Sequence, residues 1–432
     1  MSMHPGPGDA LRITGSRPLR GTLRLPGEKG MSHRALLFAA LADGTSTLGG
    51  LAPGDDVRRT AGALRALGVD IAERDAIAEV SSHGVESLTA PGGDLDCGNS
   101  GTTMRMLTGL LAARPFTSVL TGDESLRSRP MARVVTPLRK LGADVTSSDG
   151  GAHAPLTIEG TTLTGARVEL AVASGQVKTA LALAGLQADG TTEIVEPAPS
   201  RDHTERMLIA LGAPVTRPDS TTVRVTRGAP ETFELMLPGD PSSAAFFAVG
   251  AAITEGSDVT LTDVLVNPGR VQFVDVLRAM GADIELTPTD ERLGEPVGDL
   301  HVRSGPLRAA SVEVHEAMID EVPVLAVAAA FAEGSTVFRG VAELRVKESD
   351  RVVTVVELLD AIGARAEADG DSLVVHGGEV HPADMQSHGD HRIALAGAVA
   401  ACAIDGPSSI AGWSATAVSY PDFERDLEAL LS

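Results

Sequence analysis

An α/β fold in two domains is the class this sequence predicts, and three observations predict it. One phrase recurs six times: a polar opening, an Ala/Leu-rich stretch of about twelve residues, a small-residue break and a Thr/Val strand. The copies open near Ser32, Ser100, Ser174, Asp240, Asp320 and Gly389. A second phrase falls between them, as ALRALGVDI, PLRKLGADV, MLIALGAPV, VLRAMGADI and LLDAIGARA, with DLEALLS as a truncated sixth at the end. Finally, 432 residues exceed what one core usually organises.

Taken in order, each unit reads helix, strand, helix, strand over about 70–80 residues, longer than most solenoid repeats. The first helix is Ala-rich rather than amphipathic, and aromatics make up only 3% of the chain, so these helices are expected to pack closely and be buried on most sides. The strand after it is short and rich in Val, Thr and Ile, as an α/β class requires. The second helix ends at a glycine (Gly68, Gly142, Gly212, Gly281, Gly363), the residue that takes the left-handed turn closing a helix. Three units precede Pro238 and three follow it. Leu25-Pro26-Gly27 and Leu237-Pro238-Gly239 stand at equivalent points of the first and fourth units and read as the two crossings between domains. One domain is therefore expected over 26–238, the other over 1–25 joined to 239–432. The opening MSMHPGPGD reads as a flexible start.

Charge narrows the function. With 36 Lys and Arg against 58 Asp and Glu the net charge is −22, which argues against a nucleic-acid binder. Small anionic substrates remain compatible if the site is locally basic. Cys97 and Cys402 lack metal-ligand or CxxC spacing and read as buried free thiols. The apolar runs are too short to span a bilayer, and no secretory signal opens the chain, so a soluble cytoplasmic protein is expected.

The chemically active residue types crowd into the polar openings. A helix N-terminus carries unsatisfied amides and about half a positive charge, so six such ends brought together would favour anions. Lys29 and Arg34 flank the first, beside Ser32. Asn99 and Arg105 lie in the Gly/Ser/Thr-rich second. Arg127 and Arg129 flank a turn closed by Pro130. Ser174, Gln176 and Lys178 share one helix start, with Ser200 and Arg201 downstream. If ELRVKESDRVV is helical, Lys347 and Arg351 fall on one face beside Glu348, although a solvated charged helix has the same look. Asp390, His391 and Arg392 precede the last apolar helix, where Asp390 reads equally as a cap. Six ordinary caps would not each bring Arg or Lys into an acidic chain with Asp320 and Glu348 interleaved. No Walker or Rossmann fingerprint is present. The pattern suits highly anionic substrates that are not nucleotides.

In order and spacing, PGEKGMSHR, GNSGTTMR, LRSRPM, SGQVK, PSRDHTERM, GDPSSAAFF, IDEVP, RVKESDR and GDHRIA resemble the motifs of the 5-enolpyruvylshikimate-3-phosphate synthases, in their bacterial subgroup. The resemblance runs from about residue 26 to 423. It implies a two-domain inside-out α/β barrel of six βαβαββ units, three per domain, around buried parallel helices, with the active site in the cleft between domains. It implies transfer of an enolpyruvyl group from phosphoenolpyruvate to the 5-hydroxyl of shikimate 3-phosphate by addition and elimination. By position, Lys29, Gly101, Arg129, Gln176, Arg351 and Arg392 would hold phosphoenolpyruvate. Lys29, Gly30, Arg34, Ser174, Gln176, Ser200, Arg201, Asp320 and Lys347 would hold the shikimate partner. Asp320, Glu348 and Lys29 would be catalytic. Uniting roughly five to six negative charges needs such an array of fixed cations. The resemblance implies no metal or organic cofactor, a monomer, and a target of the inhibitor glyphosate.

The sequence departs from the family pattern at several points. Gly30 stands where a serine is usual, Glu28 replaces a smaller or shorter polar residue, Met106 stands where many relatives have Pro or Leu, and Val418 stands where the enterobacterial form has lysine. The sister enzyme acting on UDP-N-acetylglucosamine carries a reactive cysteine in the loop matching Ser125–Pro130, which has none here. RNA-terminal phosphate cyclases share a related repeat but need a nucleotide site and a basic surface. A carboxyvinyl transferase with another acceptor and a non-catalytic anion-binding paralogue stay open as alternatives.

Overall fold

In a computed structural model, which describes residues 2–6, 8–315 and 317–431, the repeat becomes six four-stranded sheets, one per unit. The unit around Gly101 shows the plan. A short strand Leu95–Asp96 leads into the helix Gly101–Leu111, followed by the strand Thr117–Thr121. A second helix, Ala132–Arg139, then delivers the antiparallel pair Asp144–Thr146 and Leu156–Glu159. The leading strand lies parallel to Thr117–Thr121, and Leu156 faces Leu120 across the antiparallel ladder. The unit is thus βαβαββ. Reading only helix, strand, helix, strand from the repeated phrases misses the two-residue leading strand and one member of the hairpin, because both are too short or too polar for a periodic signal.

Six long helices open the units: α1 (Lys29–Leu41), α2 (Gly101–Leu111), α3 (Gly175–Gly185), α4 (Pro241–Ile253), α5 (Val322–Ala330) and α6 (His391–Ala403). Every residue of α5 is buried, as is every residue of α6 from His391 to Cys402. Ala and Gly allow this because backbones can approach closely. At Gly109 of α2 a Cβ would fall 2.0 Å from the carbonyl oxygen of Ala180 on α3, so only glycine fits there. The five glycines closing the second helices all take positive φ, between 70° and 93°.

The chain divides into two compact units. Unit 1 comprises 1–26, 238–290 and 296–432, and unit 2 comprises 27–237 with 291–295. In unit 1, α4, α5 and α6 pack against one another inside three sheets. In unit 2, α1, α2 and α3 take the inner position. The strands around them bury alternate residues, as in Thr191–Val195, so each sheet turns one face to the helices. Helices inside and sheets outside make each unit an inside-out α/β barrel. The leading strands of the first and fourth units are exchanged: Arg20–Arg24 pairs in parallel with Asp258–Leu265, and Glu234–Met236 with Asp43–Gly49.

Two expectations need correction. The N-terminus is not a flexible start: Ser2–Pro5 and Ala10–Thr14 form an antiparallel hairpin, and Leu11 faces Ile410 of the last unit. Nor is the sixth unit truncated. That hairpin supplies the two strands missing after the final helix Phe423–Ala429, in the order 2–5, 10–14, 407–411, 384–386. The chain begins part-way through a repeat that its own end completes. Tyr420 and Phe423 anchor this closure against Phe247, with ring centroids 5.2 Å apart for Phe247 and Phe423.

Candidate active site

The helix openings carry their own occupants. Side chains cap five of the six long helices: Glu28 on the Met31 amide, Ser100 on Thr103, Ser174 on Val177, Asp240 on Ser242 and Asp390 on Arg392. Three of these caps are carboxylates. The expected pool of six positive helix ends is therefore partly spent within the fold, and positive charge for a ligand must come from Arg and Lys side chains.

Unit 2 gathers two connected groups. In the first, Arg34 is 3% exposed and locked among three helices. It donates to Thr204 at 2.8 Å, to Thr179 at 2.9 Å, and to the carbonyls of Gly30 at 2.9 Å and Gly175 at 3.2 Å. Burial lowers its pKa to about 10, so it stays charged at neutral pH. Ser174 opens α3, its amide held by Glu196 at 3.1 Å. A Cβ on Gly175 would lie 3.2 Å from the Arg201 carbonyl, which brings the Ser200-Arg201 segment against the same helix end. The Ser200 hydroxyl is buried and makes no hydrogen bond among the described residues. Below this group Lys178 bridges Glu196 at 2.8 Å and Glu205 at 2.9 Å, with all three side chains buried. Lys178 thus joins the helix start to its supports.

In the second group Gln176 accepts from Arg105 at 2.7 Å and donates to Thr102 at 2.9 Å. Gly101 is the hub: a Cβ there would sit 3.0 Å from Nη1 of Arg105 and 3.7 Å from Nη1 of Arg129. Arg129 donates to Asn99, which is fixed in turn by Asp123 at 2.8 Å. Lys29 pairs with Asp56 at 3.0 Å. The Asp56 carbonyl accepts from Thr103 of α2, which ties α1 and α2 together at their openings. Arg127 is exposed and stays outside this group. Beneath, His33 is fully buried and bonded to Thr60 at 2.7 Å; burial drives its pKa down to about 3, so the ring is neutral.

Unit 1 builds a different device around Arg351, whose side chain is 1% exposed. Its guanidinium meets Asp390 at 2.8 Å, Glu348 at 2.5 Å and Asp320 at 3.2 Å. Burial disfavours the charge, but three carboxylates outweigh it and push the pKa up. Arg351 in turn outweighs the burial of Asp390 and holds that carboxyl below its usual range. Arg392 donates to the Asp320 carbonyl at 3.1 Å and lies 3.7 Å from its carboxylate.

The helical reading of this segment is wrong. A 3-10 turn spans Ala342–Val346, Lys347 to Ser349 form a bend, and the helix starts only at Arg351. Asp350 caps it on the Val352 and Val353 amides and so stops the helix from extending back. Lys347 and Arg351 therefore do not share a helix face. Lys347 is half-buried with no side-chain partner among the described residues.

The chemistry available is specific. Two carboxylates, Asp320 and Glu348, can carry protons beside fixed cations, and unit 2 offers Lys29, Arg34, Arg105, Arg129 and Arg201 for anionic groups. Sequence reasoning undervalued three supports. Asp56 carried a signal only as an acid in the first turn of a helix, and Glu196, just after the strand Thr191–Val195, carried none. Asp390 is both cap and ion-pair partner rather than one of the two.

The sequence pattern of EPSP synthase (3-phosphoshikimate 1-carboxyvinyltransferase) matches residues 13–427. A 3-phosphoshikimate 1-carboxyvinyltransferase of Herpetosiphon aurantiacus is 48% identical over 417 residues, covering 95% of this chain and 97% of its own. One from Synechococcus sp. (strain JA-3-3Ab) is 46% identical over 432 residues, covering 98% and 97%. Among solved structures, EPSP synthase from Acinetobacter baumannii superposes with a TM-score of 0.88 at 38% identity, over 98% of this chain and 99% of that one. The enolpyruvyl transferase NikO from Streptomyces tendae shares the fold, with a TM-score of 0.79 at 21% identity over 98% of each chain.

Proposed function

The chain belongs to the EPSP synthase family, and from that premise we propose the part each residue plays in its reaction. The enzyme transfers the enolpyruvyl group of phosphoenolpyruvate to the 5-hydroxyl of shikimate 3-phosphate and releases phosphate, a step of aromatic biosynthesis. Lys29, Gly101 through its backbone, Arg129, Gln176, Arg351 and Arg392 bind phosphoenolpyruvate. Lys29, Gly30, Arg34, Ser174, Gln176, Ser200, Arg201, Asp320 and Lys347 bind the acceptor. Both clusters serve one reaction. Asp320 takes the proton of the 5-hydroxyl as its oxygen bonds to the central enol carbon, and Glu348 delivers a proton to the methylene carbon. The resulting phosphoketal then loses a methyl proton and the carbon–oxygen bond to phosphate. Lys29 balances charge at the departing phosphate.

The observation that carries this assignment is the Arg351 hub, which holds both proton carriers on one guanidinium. An incoming anion that engages Arg351 and Arg392 competes with Glu348 and Asp320 for the same cations. A cytoplasmic monomer is the state we propose. No helix among the described residues is long and apolar enough to cross a membrane.

Phosphate release with both substrates, and with each left out, tests the reading. Release that requires both supports it; release with UDP-N-acetylglucosamine instead, or none with shikimate 3-phosphate, refutes it.

A further inference from the structure

One helix cap differs in kind from the others. After the second Leu-Pro-Gly, α4 is capped by Asp240; at the equivalent point α1 is capped by Glu28, the only glutamate among the five side-chain caps. Its arm is one methylene longer, and it folds back over its own helix. Glu28 is 2% exposed and its carboxylate accepts from the Met31 amide. A Cβ on residue 30 would lie 3.1 and 3.2 Å from its two carboxylate oxygens and 3.2 Å from Nη1 of Arg34. The carboxylate and the guanidinium thus flank one point, and Gly30 leaves them the space. Arg34 cannot move away, since Thr204, Thr179 and two carbonyls hold it. Part of its positive potential is spent on Glu28, which acts to raise the Arg34 pKa against the effect of burial.

We propose that Glu28 sets the affinity for the anionic acceptor: its fixed negative charge beside Arg34 weakens the hold of unit 2 on a phosphorylated, carboxylated ring alcohol. This rests on the reading of Arg34 as an acceptor-binding residue. Glu28 is a positioning residue, capping the helix opening and facing Arg34 across the space at Gly30 rather than the reacting atoms. A like charge close to a bound anion opposes binding through space, and a buried one is little screened by salt. As a cap the same carboxylate stabilises α1. The two effects have opposite signs, which makes them separable.

The test compares the full-length parent with Glu28→Gln and Glu28→Asp, reading phosphate release and thermal midpoint. Glu28→Gln keeps the shape and removes the charge. Its KM for shikimate 3-phosphate is expected to fall about fivefold at low salt, with kcat moving less than KM. That gap should largely persist at about 1 M salt, because Glu28 and Arg34 are both buried and salt screens buried charges little. Its thermal midpoint should drop, because the neutral amide loses the attraction of a carboxylate to the positive helix end. Glu28→Asp retains the charge and should stay within about twofold of the parent KM. If the midpoint falls in Glu28→Gln while KM holds or rises, Glu28 is only a cap and the proposal is overturned. If the parent itself does not turn over shikimate 3-phosphate, the functional reading has failed instead.

Discussion

Replacing Glu348 by glutamine removes the proposed proton carrier while leaving a side chain of equal length against Arg351. The guanidinium stays in place, since Asp390 at 2.8 Å and Asp320 at 3.2 Å still hold it. One charge-assisted bond, 2.5 Å long, becomes an ordinary one. Glu348 keeps a side-chain exposure of 25%, so the stability lost is about 1 kcal/mol. For a unit of this size that lowers the melting midpoint by about 2–4 °C. The kinetic effect is larger. A positioned acid contributes about 10²–10⁴ in rate, or about 2.7–5.5 kcal/mol of barrier. Meanwhile Arg351 loses one of three competing carboxylates, so KM for phosphoenolpyruvate should hold or fall. Steady-state phosphate release, varied in each substrate, reads both parameters. Turnover within about threefold of the parent would refute the acid role, as would a loss accompanied by an equal rise in KM.

Gly101→Ala places a methyl group 3.0 Å from Arg105 and 3.7 Å from Arg129. It should raise KM for phosphoenolpyruvate and weaken glyphosate, expected to compete with phosphoenolpyruvate, about tenfold; unchanged inhibition constants would remove Gly101 from that pocket. Lys178→Met leaves Glu196 and Glu205 buried without their shared cation, so urea unfolding should show a loss of about 3–5 kcal/mol, and a loss below 1 kcal/mol would contradict the buried triad. His33 titrates near 3 when folded against 6.5 as its ordinary value. Between those values the unfolded chain binds the extra proton, so this residue's contribution is present above about pH 6.5 and falls by about 1.4 kcal/mol per pH unit as pH drops toward 3. Denaturation across that window should be shallower in His33→Asn, and parallel curves would show the ring is not held neutral.

The α/β class and the six units were legible because Ala/Leu runs, closing glycines and Thr/Val strands are local signals repeated six times. What the sequence hides is relational. Leu95–Asp96 is too short to carry a period, and its parallel pairing depends on partners twenty-five residues away. The N-terminal hairpin looked loose because its partner, 407–411, is nearly four hundred residues distant. Charged residues at the site were legible from their crowding, but their pairing was not. Asp350 ended a helix that spacing alone would have extended through Lys347. Asp56, Glu196 and Asp390 become supports only when Lys29, the Ser174 amide and Arg351 are seen beside them.

Addition followed by elimination predicts a transient methyl group, which makes solvent deuterium the most direct probe. Phosphoenolpyruvate labelled with carbon-13 at the methylene carbon should be incubated in deuterium oxide with shikimate 3-phosphate and the enzyme, and followed by NMR. The expected result is an enol ether on the 5-oxygen of the acceptor, one phosphate released per ether, and deuterium in its methylene group. An enol ether at another oxygen, a product free of deuterium, or phosphate without any ether would contradict the account.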